Sequence, residues 1–154
     1  MKNGLIGRIC NVKRLLWIMP IFLFFFNAEK NFACNCPEDT ASPEDQIEFA
    51  FKDSTAIFSG EVITIKRHPK SDFILIVKFK LENFWKGSFV KDLIINTANG
   101  GTACGYRFET SKKYLVYAYG KRNDLSTTIC TRTDLIENNK DVKILDKLKK
   151  QNNH

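Results

Sequence analysis

Apolar residues run without a break, apart from Pro20, from Leu15 to Phe26; beyond residue 33 they are spaced at helical or strand periods. Ser42-Pro43-Glu44-Asp45 reads as a helix start: Ser42 caps, Pro43 suits the first helical position and Asp45 completes a capping box. Ile47, Ala50 and Phe51 follow at spacings of three and four, which predicts a short amphipathic helix to about Lys52. Ala56 to Lys66 reads as a strand, with Gly60 marking a bulge or a sharp corner. Pro69-Lys70-Ser71-Asp72 is a turn. Phe73 to Trp85 is the strongest strand; Leu75, Val77, Phe79, Leu81 and Asn83 alternate with Ile74, Ile76, Lys78, Lys80 and Glu82, so its second half has one apolar and one polar face. Leu93 to Thr97 and Lys113 to Tyr119 read as further strands, and Ser126 to Thr131 as a short final one. A glycine-rich loop covers Asn99 to Gly105. Asn139 to Lys150 carries Val142, Leu145 and Leu148 three apart with lysines opposite, an amphipathic helix, and Gln151 to His154 should fray. Five strands between a leading and a trailing helix predict a mainly β protein, the sheet closed into a small barrel because closure removes exposed edges.

The apolar run changes the picture of the first 33 residues. Lys2, Arg8, Lys13 and Arg14 precede it, and a short polar stretch, Asn27 to Ala33, follows it. That order is the one expected of a secretory signal, and the run is shorter than the roughly 20 residues a membrane span needs. Residues 1–33 are therefore read as a signal peptide cut before Cys34, and residues 34–154 as one domain with a C-terminal helix over about 139–150. Asn31 and Phe32 fit a small-residue cleavage rule poorly; an uncleaved anchor and a lipoprotein acylated at Cys34 are the alternatives. The signal reading implies a secreted location, extracellular or periplasmic, with a lipoprotein as the variant.

Charge adds little. The chain has 24 basic and 17 acidic side chains, net +7, but the first 33 residues hold five of the bases and one acid. The remaining domain carries 19 basic and 16 acidic groups, net +3, which does not argue for nucleic acid. Histidine is limited to His68, read as a solvated loop residue, and His154, which removes most nucleophile–base schemes. No catalytic residues are assigned, and the protein is expected not to be an enzyme and to need no cofactor of its own.

Cysteine carries the chemistry. Cys10 leaves with the signal, and Cys34, Cys36, Cys104 and Cys130 remain, enough for two disulfides in a small secreted domain. A Cys34–Cys36 bridge would be strained and would close almost no loop, so two long-range pairings stay open. Each bridge closes a loop of roughly 70–100 residues, worth about 4–5 kcal/mol by chain entropy. A zinc site is the other use of four cysteines, but paired C-x₂-C knuckles are missing. Cleavage before Cys34 would put a free α-amine and a carbonyl about 3 Å apart on one residue, a bidentate ligand for a metal held by another protein.

Cys34-Asn35-Cys36-Pro37, Phe84-Trp85-Lys86-Gly87, Cys104-Gly105-Tyr106, Lys113-Tyr114-Leu115-Val116-Tyr117 and Ser126-Thr127-Thr128-Ile129-Cys130 together resemble the N-terminal domain of the tissue inhibitors of metalloproteinases. The likeness spans roughly residues 34–135. It implies a five-stranded OB-type, netrin-like Greek-key barrel, with Cys34 bonded to Cys104 and Cys36 to Cys130. It also implies that the Cys34 amine and carbonyl chelate the active-site zinc of a partner metalloproteinase, that Asn35 enters the adjacent pocket, and that Pro37, Thr102 and Ala103 flank the contact. Asn35 departs from the small hydroxyl residue common at that position in the animal inhibitors, and the third disulfide and second domain of that family are missing. The reading is thus of a minimal, monomeric, single-domain relative; the alternative is a netrin-like module that binds a partner without inhibiting a protease. Membrane contact is expected only if Cys34 is lipidated.

Overall fold

The computed structural model describes residues 34–38, 40–88, 91–100, 104–138 and 140–152. Residues 1–33, read above as a signal peptide, and Thr102 and Ala103 lie outside the described residues.

Helix α1, Pro43–Asp53, starts where its cap predicts. The Ser42 hydroxyl accepts from the Asp45 N–H at 3.2 Å and donates to the Asp45 carboxylate at 2.7 Å, so both the backbone and the side chain of Asp45 meet the cap's hydroxyl. Ile47, Ala50 and Phe51 are its buried face. The sheet has six strands, one more than expected: β1 (Ala56–His68), β2 (Ser71–Lys86), β3 (Asp92–Ala98), β4 (Lys113–Lys121), β5 (Asp124–Ser126) and β6 (Asp134–Leu135). Their order is β1-β2-β3-β5-β4-β6, and β4 also pairs antiparallel with β1 from Ala56↔Ala118 to Glu61↔Lys113. A 3₁₀ turn, Ile136–Asn138, and helix α2, Val142–Asn152, complete the chain.

The sheet buries both faces. On one face Phe58, Val62, Val77, Phe79, Ile95, Val116 and Ala118 form a core, with Phe79 packed edge-on between Phe58 and Phe108. On the other, Ile57, Trp85, Leu115 and Tyr117 meet Ile47, Ala50 and Phe51 of α1 and Leu145 of α2. Burial on both sides is why β4 reads as a continuous apolar run, Tyr114 to Ala118, with no alternation.

Simple alternation would place Trp85 on the face of Val77, Phe79 and Leu81. It does not, because the β1–β2 register steps from Gly60↔Leu81 to Ser59↔Asn83 and again from Phe58↔Phe84 to Ile57↔Lys86. These bulges turn Phe84 to the first core and Trp85 to the helix-covered face, and leave Asn83 exposed. The expected irregularity at Gly60 lies at the first step; a Cβ there would sit 2.7 Å from the Lys80 carbonyl oxygen, closer than strand backbones tolerate. Two lysines then lock the helices to β2: Lys86 Nζ donates to the Phe51 and Lys52 carbonyls at the end of α1, and Lys149 Nζ to the Phe84 carbonyl.

The end of the chain departs most from the periodicity. The expected strand over Ser126 to Thr131 is instead the end of β5, an isolated bridge Gly105↔Thr128, and a turn that holds Cys130. Between β5 and β6 the edge of β4 at Tyr117 is served by side chains. The Tyr117 N–H donates to Thr133 Oγ1 at 3.0 Å, and its carbonyl accepts from Thr127 Oγ1 at 3.0 Å. Threonine hydroxyls thus replace ladder bonds, and the backbone is free to turn. Helix α2 begins at Val142, three residues later than expected, because the preceding Asp141 is anchored: Arg132 donates to it from Nε at 2.7 Å and Nη2 at 2.8 Å, and the Tyr117 hydroxyl donates at 2.8 Å. No helix among the described residues is long and apolar enough to cross a membrane.

Candidate functional site

Residues 34–38 run as an irregular segment ahead of α1. Cys34 and Cys36 are half-buried while Asn35, Pro37 and Glu38 are exposed, so the two cysteines face the sheet and the residues between and after them face outward. The cysteines form two pairs at disulfide distance, Cys34 with Cys104 and Cys36 with Cys130, with Cα–Cα separations of 5.4 and 5.2 Å. Both separations lie inside the range an unstrained bridge spans. The bridges are neighbours: Cys34 Sγ and Cys130 Sγ are 4.0 Å apart.

The two loops that receive these bridges are joined to each other and to β3. The Ile129 N–H donates to the Cys104 carbonyl at 2.8 Å, Gly105 bridges Thr128, and the Tyr106 N–H donates to Thr97 Oγ1 at 2.8 Å. Gly105 lies directly on the Ala98 carbonyl, so no larger residue fits without moving the backbone. The turn after Cys130 is held in the same way. Arg132, two residues on, grips Asp141 and donates from Nη1 to Gln46 Oε1 of α1 at 2.9 Å. One guanidinium therefore ties the Cys130 turn to both helices; its hydrogen bond to Asp141 raises its pKa, against the burial that lowers it.

Two hollows border the ridge. A smaller one, about 500 Å³, is lined by Cys34, Gly100, Cys104, Gly105, Tyr106, Arg107 and Ile129. Ile129 is 45% exposed there, an apolar side chain presented beside the ridge. Strand periodicity gave no sign of this, since a strand over 126–131 hides the turn that exposes it. The Tyr106 phenol beneath is pushed up to about 12, first by burial and then by the Asp134 carboxylate, 3.5 Å from its hydroxyl. The larger groove, about 1090 Å³, runs from Pro37, Glu38 and Thr40 past Gln46 and Phe49 of α1 to Cys130 and Arg132. Phe49 stands 69% exposed on it.

The residues singled out from sequence are thus brought together in part. Cys34, Asn35, Cys36, Pro37, Cys104 and Cys130 form one ridge. Thr102 and Ala103 belong to the stretch between Gly100 and Cys104 that lies outside the described residues. The sulfurs of Cys34, Cys104 and Cys130 lie within 4.8 Å of one another. A metal ligand must be a thiolate, and a sulfur held in a disulfide is not one. His68 takes no part: its Nδ1 accepts from the Lys70 N–H at 3.1 Å in the β1–β2 turn. What the arrangement offers is a short irregular segment, Cys34 to Pro37, pinned through two cysteines with Asn35 and Pro37 exposed. No protein-family model matches the chain, and comparison with curated proteins found no match.

Proposed function

We propose that the mature protein is a secreted inhibitor of a zinc metalloproteinase, built on an OB-type Greek-key barrel, and that the amine and carbonyl of Cys34 chelate the enzyme's catalytic zinc. The observation that carries the reading is the double tether: Cys34 and Cys36 are each pinned to a different loop, and Asn35 between them is left exposed. The return of pairing from β4 to β1, giving the cycle β1-β2-β3-β5-β4-β1, supports the barrel. A catalytic zinc keeps one position open to water. An α-amine with a pKa near 8 has an appreciable neutral fraction at pH 7 and can displace that water. A backbone already fixed loses little entropy on docking, so the contact energy is not spent on ordering it. Asn35 would enter the adjacent pocket, with Pro37, Thr102, Ala103 and the exposed Ile129 beside it.

The test is to add one alanine before Cys34. This displaces the amine by about 3.3–3.6 Å, more than a zinc–nitrogen bond of about 2 Å. Inhibition across a panel of metalloproteinases should be lost while the fold survives, and intact mass of the native form should show a free Cys34 amine. An extended form that inhibits as well as the native one would refute chelation. If neither inhibits, the groove beneath Phe49 favours the second reading, a partner-binding module without inhibitory action.

A further inference from the structure

On its β1 side the β1–β2 hairpin runs past its neighbour β4, while on its β2 side β3 and Asn99 accompany it as far as Phe73. The β1 ladder with β4 ends at Glu61, and the β2 ladder with β3 begins at Ile74. From Lys66 to Phe73 the two strands pair with each other and close through the two-residue turn Pro69-Lys70, with His68 opposite Ser71. This tip carries three exposed cations, Lys66, Arg67 and Lys70, and one carboxylate, Asp72, a balance of +2 among these four. Arg67 and Asp72 lie 3.7 Å apart with side chains 70% and 83% exposed, so water screens the pair and Arg67 still faces outward.

Beside these charges stands the most exposed large apolar side chain among the described residues, Phe73, at 77%. Its exposure is not that of a loose loop. The Phe73 N–H donates to Ser71 Oγ at 3.3 Å, its carbonyl accepts from the Asn99 N–H at 2.8 Å, and Asn99 Nδ2 donates to the Asp72 carbonyl at 2.9 Å. The backbone is fixed on both sides of a ring held out in water.

We propose that this hairpin tip docks on a bilayer carrying anionic phospholipid, with Phe73 entering the interface and Lys66, Arg67 and Lys70 on the headgroup phosphates. The pairing of features selects this occupant. A soluble polyanion satisfies the cations but leaves Phe73 in water, whereas an anionic membrane surface supplies phosphate and an apolar layer at adjacent depths. The contact needs no acyl chain at Cys34, and so departs from the sequence-based expectation that lipidation alone would bring this protein to a membrane.

The test uses the mature protein, its intact mass excluding an acyl group, with vesicles of phosphatidylcholine alone or with 30% phosphatidylglycerol. Sedimentation should show binding to the anionic vesicles only, weakening as salt rises. Each cation near such a surface is worth about fivefold in partitioning, so Lys66→Gln/Lys70→Gln should lose about 25-fold. Phe73→Ser should lose about tenfold. In Phe73→Trp, the new indole should be quenched by brominated acyl chains while the buried Trp85 is not. The charge-matched pair Lys143→Gln/Lys147→Gln, on exposed positions of α2, should bind as the native protein does. The proposal is overturned if anionic vesicles do not bind at low salt, or if the α2 pair weakens binding as much as the tip pair. Lysine dependence without any effect of Phe73→Ser or bromine quenching would also overturn it, in favour of a soluble polyanion.

Discussion

Asp141 is the residue whose removal should most reveal how the Cys130 turn is held. It is buried, its side chain 6% exposed, and it accepts from Arg132 Nε and Nη2 and from the Tyr117 hydroxyl. Its carbonyl also receives the first helical N–H groups of α2, from Ile144 and Leu145. Asp141→Ala takes the countercharge from a guanidinium on a side chain 31% exposed, and the acceptor from a buried phenol. Breaking a buried ion pair costs about 3–5 kcal/mol, and an orphaned buried hydroxyl about 1–3 kcal/mol. Because Arg132 retains Gln46 and some water, the lower ends apply, and we expect a loss of about 4 kcal/mol. Arg132→Met should cost less, about 2 kcal/mol, since Asp141 keeps Tyr117 and the favourable N-terminus of α2. The double variant should then lose about 4 kcal/mol and not 6, a coupling of about 2 kcal/mol. Urea unfolding followed by fluorescence reads this directly. Trp85 is the single tryptophan after residue 33, is buried, and donates from Nε1 to Asp146 of α2 at 2.7 Å. The slope with urea should stay constant while the midpoint falls. A coupling below about 0.5 kcal/mol would mean the pair is no more than a solvated contact, and that the Cys130 turn is held by its disulfide and threonines alone.

Two further outcomes follow from the same geometry. Gly105→Ala places a methyl against the Ala98 carbonyl and should destabilise the domain by about 1–3 kcal/mol, with disturbed pairing at the adjacent Cys104 visible in non-reducing peptide maps; native stability and pairing would refute the close approach. All four tyrosines, Tyr106, Tyr114, Tyr117 and Tyr119, have phenol pKa values raised first of all by burial, Tyr106 to about 12. A folded-state pKa above the unfolded value of about 10 means the native protein holds protons the unfolded chain has released, so this stability is complete below pH 10 and declines as pH rises through the folded values. Phenolate absorbance of the native protein should stay low at pH 10 while the urea-unfolded chain is half-titrated there, and a native titration centred at 10 would contradict the burial.

Much of the local structure was legible because it depends on neighbours in the chain. Ser42 and Pro43 set the start of α1, the mixed apolar run set β4, and Pro69-Lys70 set the hairpin turn, each through backbone preferences acting within a few residues. Composition left two long-range cysteine pairings open, and only resemblance pointed to Cys34 with Cys104 and Cys36 with Cys130, the pairs found at bonding distance. What the sequence could not carry are features set by register and by contacts between distant segments. Trp85 changes face because the β1–β2 register shifts on either side of the Ser59↔Asn83 and Phe58↔Phe84 pairs, and no periodicity within β2 alone contains those shifts. The strand expected over 126–131 gives way to a turn because threonine hydroxyls satisfy Tyr117 and because Cys130 is drawn to Cys36, which lies 94 residues earlier in the chain. The late start of α2 has the same origin, a carboxylate at 141 claimed by a guanidinium at 132 and a phenol at 117. Local preference is settled by a few kcal/mol within one turn or strand, whereas these choices are settled by burial and charge pairing that exist only once the sheet has assembled.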